Sequence, residues 1–122
     1  MRYLNILLGL AMLGFAAVQY NDPDVLLWVI YYAVPAAWAF LAAFRMDLVR
    51  SPSGMRWLWV SVVLWLGLVI FYWPTMPGFW RREVFMAEVE GEGAREGMGL
   101  MIAWLVLLIA LLSAQLRRVA RP

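Results

Sequence analysis

Between Val25 and Phe44 the chain reads VLLWVIYYAVPAAWAFLAAF, without a single charge. No other feature restricts the fold as much. About 20 mostly apolar residues are what an α-helix needs to cross the hydrocarbon core of a bilayer. In that medium every backbone N–H and C=O must be satisfied within the protein, which leaves only helices and closed barrels. The run is continuous rather than alternating, which argues against barrel strands of about ten residues each. Three further runs have the same character, and the pattern predicts helices over about 3–20, 23–44, 55–73 and 95–116. The expected fold is all-α: an integral membrane four-helix bundle, one transmembrane domain over residues 1–122, with an outer loop at 74–94. Arg2 and the run behind it also fit a signal peptide, but the segment is read as the first membrane helix.

Composition supports that class. The chain is 66% hydrophobic and 15% charged, against about 45–50% and about 25% for soluble domains. A chain of 122 residues buries too small a share of its surface to hide so much apolar area from water. The expected surroundings are a lipid bilayer, with the bacterial inner membrane as location. The net charge of +2 does not point to nucleic acid, because the arginines stand at the ends of apolar runs, where they meet lipid head groups.

Arginine placement gives an orientation. Arg2, Arg45, Arg50, Arg56, Arg117, Arg118 and Arg121 fall on one side of the predicted spans. By the positive-inside rule both termini are expected in the cytoplasm. The carboxylates show the reverse bias. Only Asp47 falls on the arginine-rich side, whereas Asp22, Asp24, Glu83, Glu88, Glu90, Glu92 and Glu96 fall on the other. The outer face is expected to carry a carboxylate-rich rim.

The chain has no Cys and no His. That excludes disulfides, thiolate zinc sites and iron–sulfur clusters, haem ligation through His, and Ser-His-Asp or Cys-His catalysis built from this chain alone. Site chemistry is left to carboxylates, Arg, amides, hydroxyls, backbone groups or Met sulfur.

Two polar stretches interrupt the apolar pattern. The first is QYNDPD, Gln19 to Asp24. Asp22 suits an N-cap, Pro23 the first helical position, and Asp24 a first turn where the helix dipole favours negative charge. Capping leaves Gln19 and Asn21 unexplained and one carboxylate in excess, and polar groups near bilayer depth are costly enough to be functional. The second stretch is EGEGAREGMGL, Glu90 to Leu100. Glu92 and Glu96 share a helix face, and Arg95 can pair with Glu92. Either the acids only favour a helix N-terminus, or they oppose Asp22 and Asp24 at the same depth. In the second case Asp22, Asp24, Glu92 and Glu96 supply the hard oxygen ligands that a divalent cation such as Ca²⁺ takes. The same groups also suit a metal-free ion-pair network around Arg95. Between the stretches, Trp28, Tyr31, Tyr32, Pro35 and Trp38 recur at helical spacing, as packing and belt residues do. Pro35 should kink its helix and free a carbonyl, with the Tyr32 hydroxyl near enough to serve it. Gly9, Gly14, Gly97 and Gly99 suit close helix approach, and the tryptophans of the third helix read as anchors and packing.

The chain resembles the transmembrane protein 220 family. The resemblance rests on VQYNDPD, on Trp28, Tyr32, Pro35 and Ala36 within WVIYYAVPA, and on Glu92, Arg95, Glu96, Gly99 and Leu100. It implies a compact four-helix membrane protein and supplies no reaction. Its signature positions give the candidate ligand-binding set: Asn21, Asp22, Asp24, Trp28, Tyr32, Glu92, Arg95 and Glu96. The leading expectation is an outward-facing pocket for a cation or polar head group. The alternative is an accessory subunit of a larger membrane complex, or a homo-oligomer, without its own catalysis. No residue is singled out as a catalytic nucleophile.

Overall fold

The computed structural model describes residues 2–21, 24–73 and 90–120, with side-chain surroundings for 2–19, 24–73 and 95–116. It is built of helices: α1 (Arg2–Ala17), a 3₁₀ turn (Val18–Asn21), α2 (Val25–Phe44), α3 (Met46–Arg50), α4 (Pro52–Phe71) and α5 (Glu90–Ala120). Three have the length and composition to cross a membrane: α2, α4, and α5 over Arg95–Leu116. α1 is a shorter apolar helix. The long loop at 74–89, with its aromatic and basic residues, lies outside the described residues.

The helices alternate in direction. Arg2 stands over the Phe44 ring at 5.4 Å, and Phe15 meets Tyr32 edge-on at 5.5 Å, so α1 and α2 are antiparallel. The Asn5 amide donates to Ser113 Oγ at 2.9 Å, so α1 also runs against α5. α2 and α4 meet at Trp38 and Ser61 and again at Trp28 and Tyr72, again antiparallel. α5 is the central element: 56% of its span is buried, against 33% for α2 and 22% for α4. Its inner face carries Leu100, Ala103, Val106, Leu107, Ala110 and Ala114.

Small residues set the close contacts. A Cβ on Gly9 would lie 2.8 Å from the Phe40 ring, and one on Gly99 would overlap the Tyr32 hydroxyl. Gly14 faces open space, so the close approach expected there does not occur. The turn into α4 is fixed by Ser51, whose Oγ accepts from Gly54 N at 3.0 Å and donates to the Leu48 carbonyl at 2.7 Å. Pro52 sits in the first turn of α4, where its missing N–H has no helical role.

Pro35 lies inside α2 and frees a carbonyl as expected, but the donor that serves it is not Tyr32. A proline at 35 cannot donate to the carbonyl four residues back, which belongs to Tyr31. Trp65 of α4 replaces that donor, with its indole Nε1 2.9 Å from the Tyr31 oxygen. The Tyr32 hydroxyl lies instead against Gly99 of α5. Indoles tie helices twice more: Trp38 Nε1 donates to Ser61 Oγ at 3.1 Å, and Trp104 Nε1 donates to the Val62 carbonyl at 3.1 Å.

Candidate functional site

The alternation of helices places the end of α1, the start of α2, the end of α4 and the start of α5 together at one end of the bundle. Asp24, Tyr72, Arg95 and Glu96 stand there.

The capping assignment at QYNDPD needs correction. The N-cap of α2 is Asp24, whose side chain makes no capping hydrogen bond, and the first turn of α2 carries no acid. The 3₁₀ turn takes up Val18–Asn21, so α2 begins later than the sequence suggests. Its first backbone bond runs from Trp28 N to the Asp24 carbonyl at 3.2 Å. Asp22 and Pro23, assigned from the sequence to the N-cap and the first helical position, are outside the described residues. Gln19 is accounted for locally: its amide donates to the Phe15 carbonyl at 3.1 Å.

Trp28 and Tyr32 are both 3% exposed. They belong to a continuous aromatic cluster that joins α1, α2 and α4. The Trp28 ring lies 5.1 Å from both Tyr31 and Tyr72, edge to face, and 6.1 Å from Tyr32. Tyr31 reaches Tyr72 at 6.0 Å and Trp65 at 6.4 Å. Such pairs contribute about 0.5–1.5 kcal/mol each beyond the area they bury. The rings fill the space between one another, so they form a packed wall and not an open cage.

The charges of the carboxylates reach the phenols of this cluster. Tyr72 ends α4, its backbone N–H bonded to the Leu68 carbonyl at 2.9 Å. Its phenol is pushed up to about 12, first by burial, then by a hydrogen bond with Tyr31, by the Tyr31 charge, and by the charges of Glu96 and Asp24. Two carboxylates from different helices therefore act on one hydroxyl. Glu96 is also within electrostatic reach of the buried Tyr32. Neither Tyr31 nor Tyr72 is a ligand candidate from the sequence. Tyr31 belongs to the aromatic stripe, but Tyr72 ends an apolar helix with nothing nearby in sequence to mark it.

The remaining candidates are placed only in part. Asn21 closes the 3₁₀ turn, and Glu92 lies within α5 one turn before Glu96, but both side chains are outside the described residues. Arg95 and Glu96 are half-buried. The Ca²⁺ ligand set named from the sequence thus has two described members, Asp24 and Glu96. Among the described residues no group of three or more acidic side chains is placed to hold a metal ion.

The apolar helices and their alternating directions are those of a helical membrane protein, with three helices long and apolar enough to cross a bilayer. More particularly, residues 11–112 match the family described as Transmembrane family 220, helix, and the chain belongs to that family. No curated protein and no solved structure matches it.

Proposed function

We propose that this is a four-span membrane protein whose carboxylate-bearing end binds a cation or the cationic head group of a lipid. The observation that carries this reading is that the charges of Asp24 and Glu96, from different helices, both act on the Tyr72 phenol. Carboxylates at one end of the bundle repel each other, and a cation bound there relieves that repulsion. Phenol hydroxyls beside them add neutral oxygen ligands, and Asn21, Asp22 and Glu92 supply further oxygens close by in sequence. Arg95 positions the carboxylates.

Helix lengths support four spans. The 16 residues of α1 rise about 24 Å, short of the roughly 30 Å hydrocarbon core. The 3₁₀ turn of 4 residues adds about 8 Å, enough to complete the crossing. With arginines on the cytoplasmic side, the site faces outward and both termini lie inside.

Thermal unfolding of the purified protein across Ca²⁺, Mg²⁺, chelator and ethanolamine tests the reading. A cation-dependent rise in Tm that Asp24→Asn and Glu96→Gln abolish is expected. An unchanged Tm with every cation, in wild type and variants alike, would refute it. The second reading, an accessory subunit, draws on α4, where Trp57, Trp59, Val63, Ile70 and Phe71 are exposed. A single 14.0 kDa species on native purification in mild detergent counts against it.

A further inference from the structure

We propose that a cleft at the opposite end of the bundle binds the phosphate of an anionic membrane lipid through Arg50. The cleft has a volume of about 190 Å³ and is lined by Arg50, Met55, Ala114 and Gln115. It opens where α3, α4 and α5 meet. Arg50 is half-buried, and its Nε donates to the Ala114 carbonyl at 3.3 Å. That bond fixes the guanidinium against the cleft wall. A fixed, partly desolvated guanidinium is the side chain best suited to phosphate, because its planar fork matches two phosphate oxygens.

Charge around the cleft favours an anion. Asp47 is the one carboxylate at this end among the described residues, and it is engaged by Arg45 through two hydrogen bonds of 3.2 Å. Arg2 and Arg56 stand at the same end without a described carboxylate beside them. The lining also discriminates by size and polarity. The volume is below the about 300–1,000 Å³ of sites that enclose a whole small molecule. Gln115 adds an amide donor beside the arginine, and Met55 supplies an apolar wall where an acyl chain would begin. Basic pockets between membrane helices are suited to anionic head groups for these reasons.

The test uses the full chain reconstituted in vesicles of phosphatidylcholine with phosphatidylglycerol, then extracted in mild detergent, with the lipid retained by the protein measured by native mass spectrometry. Wild type should retain phosphatidylglycerol in preference to phosphatidylcholine. Arg50→Gln should lower that preference about tenfold, as loss of a charge-assisted hydrogen bond does. Met55→Trp, which fills the cleft and keeps Arg50, should lower it similarly, so the proposal stays testable if Arg50→Gln does not fold. Arg56→Lys, which keeps the charge at an exposed position, should keep the preference. No preference in wild type, or a preference intact in either cleft variant, would overturn the proposal. So would stabilisation by inorganic phosphate alone equal to that by the lipid, which would mark a site for free anions.

Discussion

At the scale of single residues, the Tyr31 carbonyl shows how this chain tolerates a proline in the middle of a membrane helix. Pro35 removes a backbone donor, and Trp65 supplies one from the neighbouring helix. Replacing Trp65 with Phe leaves a carbonyl without its donor in a low-dielectric interior, at a cost of about 1–3 kcal/mol. Pro35→Ala restores the backbone donor, so the double variant should recover most of the loss. Thermal unfolding of the four proteins in detergent measures that coupling. Tyr72 gives a second residue-scale expectation. Its folded pKa, about 12, lies above the ordinary 10.0. Its contribution to stability is therefore complete below pH 10.0 and is lost as pH rises towards about 12. Ultraviolet titration should find a late-ionising component that is smaller by one tyrosine in Tyr72→Phe. Glu96→Gln should shift that ionisation to lower pH, because it removes a charge that opposes the phenolate. The need for a donor near residue 31 was legible from Pro35, but its supplier was not. Trp65 is 34 positions away, and an indole in an apolar run looks the same whether it packs or donates.

At the scale of elements, glycine positions and turn chemistry decide how closely the helices meet. Gly99→Ala places a methyl on the Tyr32 hydroxyl, and Tyr32 is held between Trp28 and Phe15. The substitution should cost about 1–3 kcal/mol, as overpacking does. Tyr32→Phe removes the overlapping oxygen and should recover part of that cost in an unfolding assay. Ser51→Ala removes the cap of α4 and should cost about 1 kcal/mol. The apolar runs predicted the existence and order of the long helices, because in a bilayer hydropathy and backbone satisfaction point to the same answer. Their ends were less legible. The 3₁₀ turn after α1 displaced the start of α2, and α3, only 5 residues long, left no trace in the hydropathy pattern. The buried pair of Asn5 and Ser113 was equally hidden, since each is a lone polar residue in an apolar helix until the fold brings the two together.

At the scale of the whole molecule, the bundle has two unlike ends joined by an apolar middle. One end holds Asp24, Glu96 and the tyrosine hydroxyls, and the other holds the Arg45–Asp47 pair and the Arg50 cleft. The sequence showed this polarity through the opposite bias of arginines and carboxylates. It also identified Asp24 and Glu96 as candidates, while Tyr72, on which both charges act, emerges only from the packing of α4 against α2. The central claim is that the QYNDPD and EGAREG stretches form one site, and the absence of cysteine makes a direct test simple. Asp24→Cys and Glu96→Cys are introduced together, and disulfide formation under mild oxidation in membranes is followed by a gel shift after proteolysis between the two positions. Rapid, near-complete cross-linking is predicted, with slow or no cross-linking for Glu96→Cys paired with Arg56→Cys at the opposite end. If Asp24→Cys and Glu96→Cys cross-link no faster than that control pair, the two stretches do not share a site.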